Sequence, residues 1–279
     1  MGKFSYTWSL MRESWEVLKQ DKKILIFPLI SVICWLLVAA AFALPLVPSE
    51  GWRALLEEDT NIAEPPGAYA TLFLFYLCTY FITVFFNSAI ISCAVIRMQG
   101  GDLKLRDGFR AAFSRILLIA EWALVSATIG VVLRVIEDRS KTVGKIIVDL
   151  IGTAWELASY LVVPLLVIEK KGPISALKES AALLKKTWGQ QLIGGFSFGL
   201  ILLVLILPGA VFVLMALLTM GTPAMIVFIA LAGAYIILLC NIIWALAAIF
   251  CAAVYLYARD GRAPGSFDSF LLRDAIVQR

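Results

Sequence analysis

The chain has 279 residues, 61% of them hydrophobic and 16% charged, with a formal net charge of +4. Soluble domains carry about 25% charged residues and about 45–50% apolar ones, so a mean hydropathy of +0.91 excludes a soluble enzyme and points to a membrane protein. The small positive balance gives no reason to expect a nucleic-acid partner, and the absence of histidine removes His-based acid–base catalysis, Ser-His triads and His-rich metal sites.

Residues 1–23 read as a first surface helix. Phe4, Trp8, Met11, Trp15 and Leu18 recur at steps of four, three, four and three, which makes one apolar stripe, while Arg12, Glu16 and Lys19 face away. Span 1 follows over about 24–47, with Pro28 in its first turn and Pro45 and Pro48 at its end. About 20 helical residues cross the roughly 30 Å hydrocarbon core. Ala41-Phe42-Ala43 has the form of a leader cleavage site, but it follows a charged amphipathic start and a run of spanning length. An uncleaved first span is therefore the expectation. An acidic loop, 48–67, ends in Pro65-Pro66-Gly67, a chain breaker before span 2 (about 68–96).

Residues 97–115 hold a second surface helix, with Leu105, Phe109, Ala112, Phe113 and Ile116 as its stripe and Arg106 and Arg110 on its basic side. Gly100-Gly101-Asp102 is a turn and not a phosphate loop, because no GxxxxGK pattern is present. Span 3 covers about 115–136 and contains Glu121; a charged turn, 137–145, leads to span 4, about 146–168, which contains Glu156.

The third surface helix is the clearest. Ile174, Leu177, Ala181, Leu184 and Trp188 form its stripe, Lys171, Lys178 and Lys185 recur every seven residues, and Pro173 suits the first helical position. Such a helix is expected to lie at a membrane surface with its lysines toward lipid headgroups. Arg12-Glu13-Ser14 matches Lys178-Glu179-Ser180 at an offset of 166. Span 5 is expected over about 191–218, with a Gly195/Gly199 G-x-x-x-G face for close packing. After the Met220–Pro223 turn, span 6 (about 224–258) is long enough to tilt or break near Gly233. A tail, 259–279, turns at Asp260-Gly261 and carries a short helix capped by Ser266.

The expected fold is an all-α integral membrane protein, a single membrane domain over 1–279. Its six transmembrane helices form three hairpin repeats, about 1–96, 97–168 and 169–258, each preceded by a cytoplasmic amphipathic interfacial helix. Lysine and arginine number five, five, five and four in the segments assigned to one side, and only five altogether on the other. The positive-inside rule then puts both termini and the three surface helices in the cytoplasm. Trp8, Trp15 and Trp188 suit the interface.

The run FSYTWSLMRESWEVLKQDKKILIFPLIS, the motif FFNSAI, the stretch EWALVSATIGVVLRVIEDRS and the block SYLVVPLLVIEKKGPISALKESAALLKKTWG resemble a family of uncharacterised bacterial multi-spanning membrane proteins. That family is a domain-of-unknown-function family, similar in layout to YciC-like inner-membrane proteins and to the membrane domains fused to glycerophosphodiester phosphodiesterases. The resemblance implies a helical inner-membrane protein. It implies no activity, so no catalytic residue is carried over.

Glu121, Glu156 and Asn87 are the intramembrane polar candidates. A carboxylate in hydrocarbon is expensive and usually faces a bundle interior or a wet cavity. Two readings stand: a pocket for a cation, a proton or a lipid headgroup, or a protonated glutamate bonded to a neighbouring helix. Asn241 reads as helix–helix glue. Arg134, Glu137, Asp138 and Arg139 read either as an outer-rim charge network or as solvated loop charges. The five cysteines all lie in apolar runs without CxxC spacing, so they read as packing residues.

The leading expectation is a non-enzymatic protein that binds or organises lipids in envelope homeostasis. Arg12, Lys19, Arg106, Arg110, Lys171, Lys178, Lys185 and Lys186 are its anionic-lipid contacts, and no metal or cofactor is called for. The alternative is a small transporter or channel with a path through Glu121, Glu156 and Asn87. A lipid-modifying enzyme is the weaker third class. Membrane lipids are the expected partners, and a homo-oligomer is compatible with the pattern.

Overall fold

The computed structural model of the chain describes residues 3–44, 68–139, 143–188, 205–261 and 264, and every regular element among them is helical. In chain order these are α1 (Lys3–Gln20), a 3-10 turn (Lys22–Leu25), α2 (Ile26–Ala43), α3 (Ala68–Met98), α4 (Leu105–Phe113) and α5 (Ile116–Arg139). Then follow α6 (Val143–Ser159), α7 (Val162–Val167), α8 (Pro173–Trp188), α9 (Leu207–Leu218) and α10 (Pro223–Asp260).

Five stretches are long and apolar enough to cross a bilayer: Lys22–Ala43, Tyr69–Met98, Ile116–Glu137, Val148–Val167 and Pro223–Asp260. They mark a membrane protein and correspond to expected spans 1, 2, 3, 4 and 6. Of span 5 the described part is the 12-residue α9; Gly195 and Gly199 lie outside the described residues. So do Pro45, Pro48, Ser266 and the tail helix.

Two findings bear on the continuity of the spans. Span 4 is broken: α6 stops at Ser159 and α7 restarts at Val162. Pro164 explains the break, since it offers no N–H to the Tyr160 carbonyl and its ring crowds the preceding turn. Placed in the first turn of α7, it loses no helical donor. Span 6 does not break. All 38 residues of α10 are one helix, about 57 Å long at about 1.5 Å per residue, and a Cβ on Gly233 would meet nothing within 4 Å. The helix closes on Gly261, whose left-handed φ of 66° lets its N–H reach the Tyr257 carbonyl at 2.9 Å. The Gly100 turn likewise holds φ at 82°.

The described chain divides into two compact units. One comprises Met1–Pro28, Ile90–Asp107 and Ala182–Arg279. Here α1 packs along α10, and α9 pairs with α10 as a hairpin. Gly209 allows the hairpin to close, because a Cβ there would lie 3.2 Å from Tyr235 Cδ1. The Tyr235 hydroxyl donates to the Leu205 carbonyl at 2.7 Å. At the end of α3, Arg97 donates to Gln20 at 3.1 Å and lies 3.8 Å from Asp21 and 4.0 Å from Asp102. Leu18, Ile24, Phe27, Leu246, Ile249, Phe250 and Tyr255 are buried.

The other unit comprises Leu29–Ala89 and Gly108–Ala181. Its packing is aromatic. Phe75 of α3 meets Trp35 and Phe42 of α2 edge to face, and Phe85 and Phe86 meet Phe113 and Phe109 of α4 with centroids 4.9 and 6.4 Å apart. Pairs of this kind contribute about 0.5–1.5 kcal/mol beyond their buried area. The hairpin of α5 and α6 is pinned by Trp122 stacked on Trp155 at 5.4 Å and 14°. Every residue of α7 is buried, in contrast to α6, where Leu150 is 68% exposed as suits a lipid-facing helix.

Candidate functional site

The three amphipathic helices form where their periodicity predicts, but their stripes point differently. On α8 the buried positions are Pro173, Ala176, Ser180 and Leu184, while Ile174 and Ala181 of the expected stripe are exposed. The two sets lie within about 100° of each other on the helix. The apolar arc therefore has two halves. Its small residues let α8 dock on protein, and Ile174 and Ala181 are exposed, next to exposed Lys178 and Lys185.

Docking has a specific anchor. Where span 4 breaks, the Leu161 N–H donates to Ser180 Oγ at 3.0 Å, and both residues are 0% exposed. A backbone donor freed by the break is thus satisfied by the surface helix, as a buried N–H requires. Beside it, Lys171 donates to Glu179 and lies 2.6 Å from Glu169. Hydrogen bonds to Glu169 and then to Glu179 raise the Lys171 ammonium above the ordinary lysine value, against the small opposing effect of burial. Its charge is matched within the protein, unlike a free headgroup contact.

On α1 the buried residues are Met11, Ser14, Val17 and Leu18, and Trp15 is 38% exposed. At the 166-residue offset the exposure agrees at several positions: Arg12 and Lys178 are exposed, Ser14 and Ser180 buried, Trp15 and Ala181 exposed, Leu18 and Leu184 buried, Lys19 and Lys185 exposed; it differs at Met11 and Leu177, Glu16 and Ala182, and Val17 and Leu183. Lys19 pairs with Glu16 at 2.9 Å, and Arg12 has no ion pair among the described residues. On α4, Arg106 and Arg110 are exposed, and Gly108 and Ala112 form its buried side. The side chains of Phe4, Trp8, Lys186 and Trp188 lie outside the described residues.

The intramembrane candidates are not gathered into one polar cluster. The Trp122–Trp155 stack sets the hairpin register, so the flanking Glu121 and Glu156 stand at one level of it. One step back from Trp122 and one step on from Trp155 send the two carboxylates to opposite faces of an antiparallel pair. Both are exposed, and no hydrogen bond or ion pair joins them among the described residues. Glu156 lies within electrostatic reach of Tyr80 on α3; Tyr76 and Tyr80 in turn border Gly130 of α5. Asn87 is half-buried, and its Oδ1 is buried without a hydrogen bond.

Among the described residues Asn241 makes no bond to another helix: its Nδ2 donates at 2.6 Å to Ile237 of its own helix, because a donor facing four residues back finds a carbonyl there first. Arg134 and Glu137 form an exposed pair at 3.5 Å, worth about 1 kcal/mol at most. Asp138 and Arg139 have side chains outside the described residues. Cys93 and Cys251 are buried, Cys34 and Cys78 half-buried and Cys240 exposed, all as free thiols.

The break, the Ser180 anchor and the Lys171 triad escape a periodicity reading. Pro164 inside span 4 is the one local signal for them.

No curated protein and no solved structure matches the chain. A family model described as a family of unknown function, DUF6159, matches residues 67–265. That match takes in well over half of the 279 residues, and the chain belongs to this family of unknown function.

Proposed function

We propose that the chain is a non-enzymatic multi-pass protein of the bacterial inner membrane that binds and organises anionic lipids. In this reading both termini are cytoplasmic, six spans form three hairpin repeats, and α1, α4 and α8 lie at the cytoplasmic interface. The likeness in layout to YciC-like proteins and to the membrane domains of glycerophosphodiester phosphodiesterases belongs to the same reading. One observation carries it: three short helices bury one face and present paired basic residues on another, Arg12 with Lys19, Arg106 with Arg110, and Lys178 with Lys185. Each basic residue near an anionic surface contributes about 1 kcal/mol, so the Arg106/Arg110 and Lys178/Lys185 pairs each add about 2 kcal/mol, roughly a thirtyfold local preference, while α1, whose Lys19 is paired with Glu16, adds about 1 kcal/mol. The test is lipid enrichment around the protein in nanodiscs of mixed phosphatidylglycerol and phosphatidylcholine. Enrichment of phosphatidylglycerol by wild type, reduced by neutralising Lys178, Lys185 and Lys186 to Gln, supports the reading. Equal lipid composition around both proteins overturns it.

A second reading, a transporter or channel lined by Glu121, Glu156 and Asn87, is favoured by the buried, unsatisfied Oδ1 of Asn87. Ion flux in liposomes that falls in the Glu156→Gln variant would support it.

A further inference from the structure

A groove of about 540 Å³ lies between α1 and α10, within the roughly 300–1,000 Å³ range of small-molecule sites. Its two walls differ in chemistry. From α1 come Arg12, Trp15 and Lys19, at helical steps of three and four; from α10 come Leu239, Ile242 and Leu246, at the same steps. Charge lies along one wall and hydrocarbon along the other. Glu16 also lines the groove, but it is paired with Lys19 at 2.9 Å. The charge left over is the Arg12 guanidinium.

The exposure of α10 changes along this groove. Residues 223–258 carry no charge; of these, 223–244 are mostly exposed, whereas nearly all of 245–256 are buried. The first stretch is about 33 Å long, the thickness of a hydrocarbon core of about 30 Å. The groove, at 239–246, lies where the exposed part of α10 gives way to its buried part. Trp15 beside it is an aromatic amphiphile of the kind that settles at membrane interfaces.

We infer that this groove is a discrete site for one anionic phospholipid. An acyl chain lies along Leu239, Ile242 and Leu246, and the phosphate sits against Arg12, whose planar donors suit a phosphate. This rests on the proposed lipid-binding function but adds a particular molecule at a particular place, distinct from bulk attraction to the basic helices.

The test uses the full chain in nanodiscs and the fluorescence of Trp15, taken as the difference between wild type and Trp15→Phe. The quenchers are phosphatidylglycerol and phosphatidylcholine with dibrominated acyl chains. Saturable quenching of Trp15 is expected, with about fivefold preference for phosphatidylglycerol from one basic residue. Arg12→Gln should abolish the preference and keep the chain contact; Ile242→Phe, at a half-buried position, should fill the groove and abolish saturable quenching. Linear, unsaturable quenching, or a preference that survives Arg12→Gln, overturns the site. Enrichment of phosphatidylglycerol around the protein can persist in that case, so loss of the groove and loss of the wider function are read separately.

Discussion

Replacing Ser180 by Ala probes how the surface helix is held to the broken span. The hydroxyl accepts the Leu161 N–H at 3.0 Å, with both residues 0% exposed, so water has no route to take its place. Leaving a buried donor unsatisfied costs about 1–3 kcal/mol. Interhelical side-chain bonds in membrane proteins average nearer 0.6 kcal/mol, because the partner usually finds another acceptor. Pro164 removes that escape here, since the segment cannot rejoin α6 as one helix. A loss of about 2 kcal/mol follows, which is about a thirtyfold rise in local opening. Hydrogen–deuterium exchange at the Leu161 amide reads it directly, and reversible unfolding in detergent reads its global share. Ser180→Thr, which keeps the hydroxyl, should retain most of the protection. Exchange at Leu161 unchanged in Ser180→Ala, with stability within about 0.3 kcal/mol of wild type, would refute the anchor.

Other consequences are equally direct. The Lys171 ammonium is raised by Glu169 and Glu179, so its stabilising contribution is full below the ordinary lysine pKa of about 10.4 and is lost as pH rises through the higher folded value. The melting-temperature difference between wild type and Lys171→Met should be flat through neutral pH and shrink only in strong alkali. Gly209→Leu should wedge α9 from α10, where Tyr235 already stands 3.2 Å from a Cβ, and destabilise by about 1–3 kcal/mol. Gly233→Ala, with nothing within 4 Å, should stabilise by about 0.5–1 kcal/mol; unfolding in detergent distinguishes the two. A double-mutant cycle of Trp122 and Trp155, stacked at 5.4 Å, should give a coupling of about 0.5–1.5 kcal/mol.

How much of this was legible depends on which interaction decides each feature. Hydrophobic run length is a local property, so five spans and three amphipathic helices could be read from residue spacing alone. Helix ends were legible where the chemistry is local, as at Gly100 and Asp260-Gly261. The direction of the stripes was not, because Ala176 and Ser180 look indifferent by hydrophobicity and are selected for close approach. Lys171 reads as one of three evenly spaced lysines, and only folding brings Glu169 and Glu179 to it. Sequence position put Glu121 about six residues into span 3 and Glu156 near the middle of span 4, within about two turns of each other. Which faces they occupy depends on the Trp122–Trp155 register, a tertiary choice.

The central claim is that the chain handles anionic lipid. Native mass spectrometry of protein extracted gently with its own lipids, for wild type and for Glu121→Gln/Glu156→Gln, tests it most directly. The account predicts anionic phospholipid retained equally by both, since recognition is assigned to the basic helices and the Arg12 groove. Lipid lost only in the glutamate variant would move the site to the intramembrane carboxylates. No retained lipid in either protein would contradict the account.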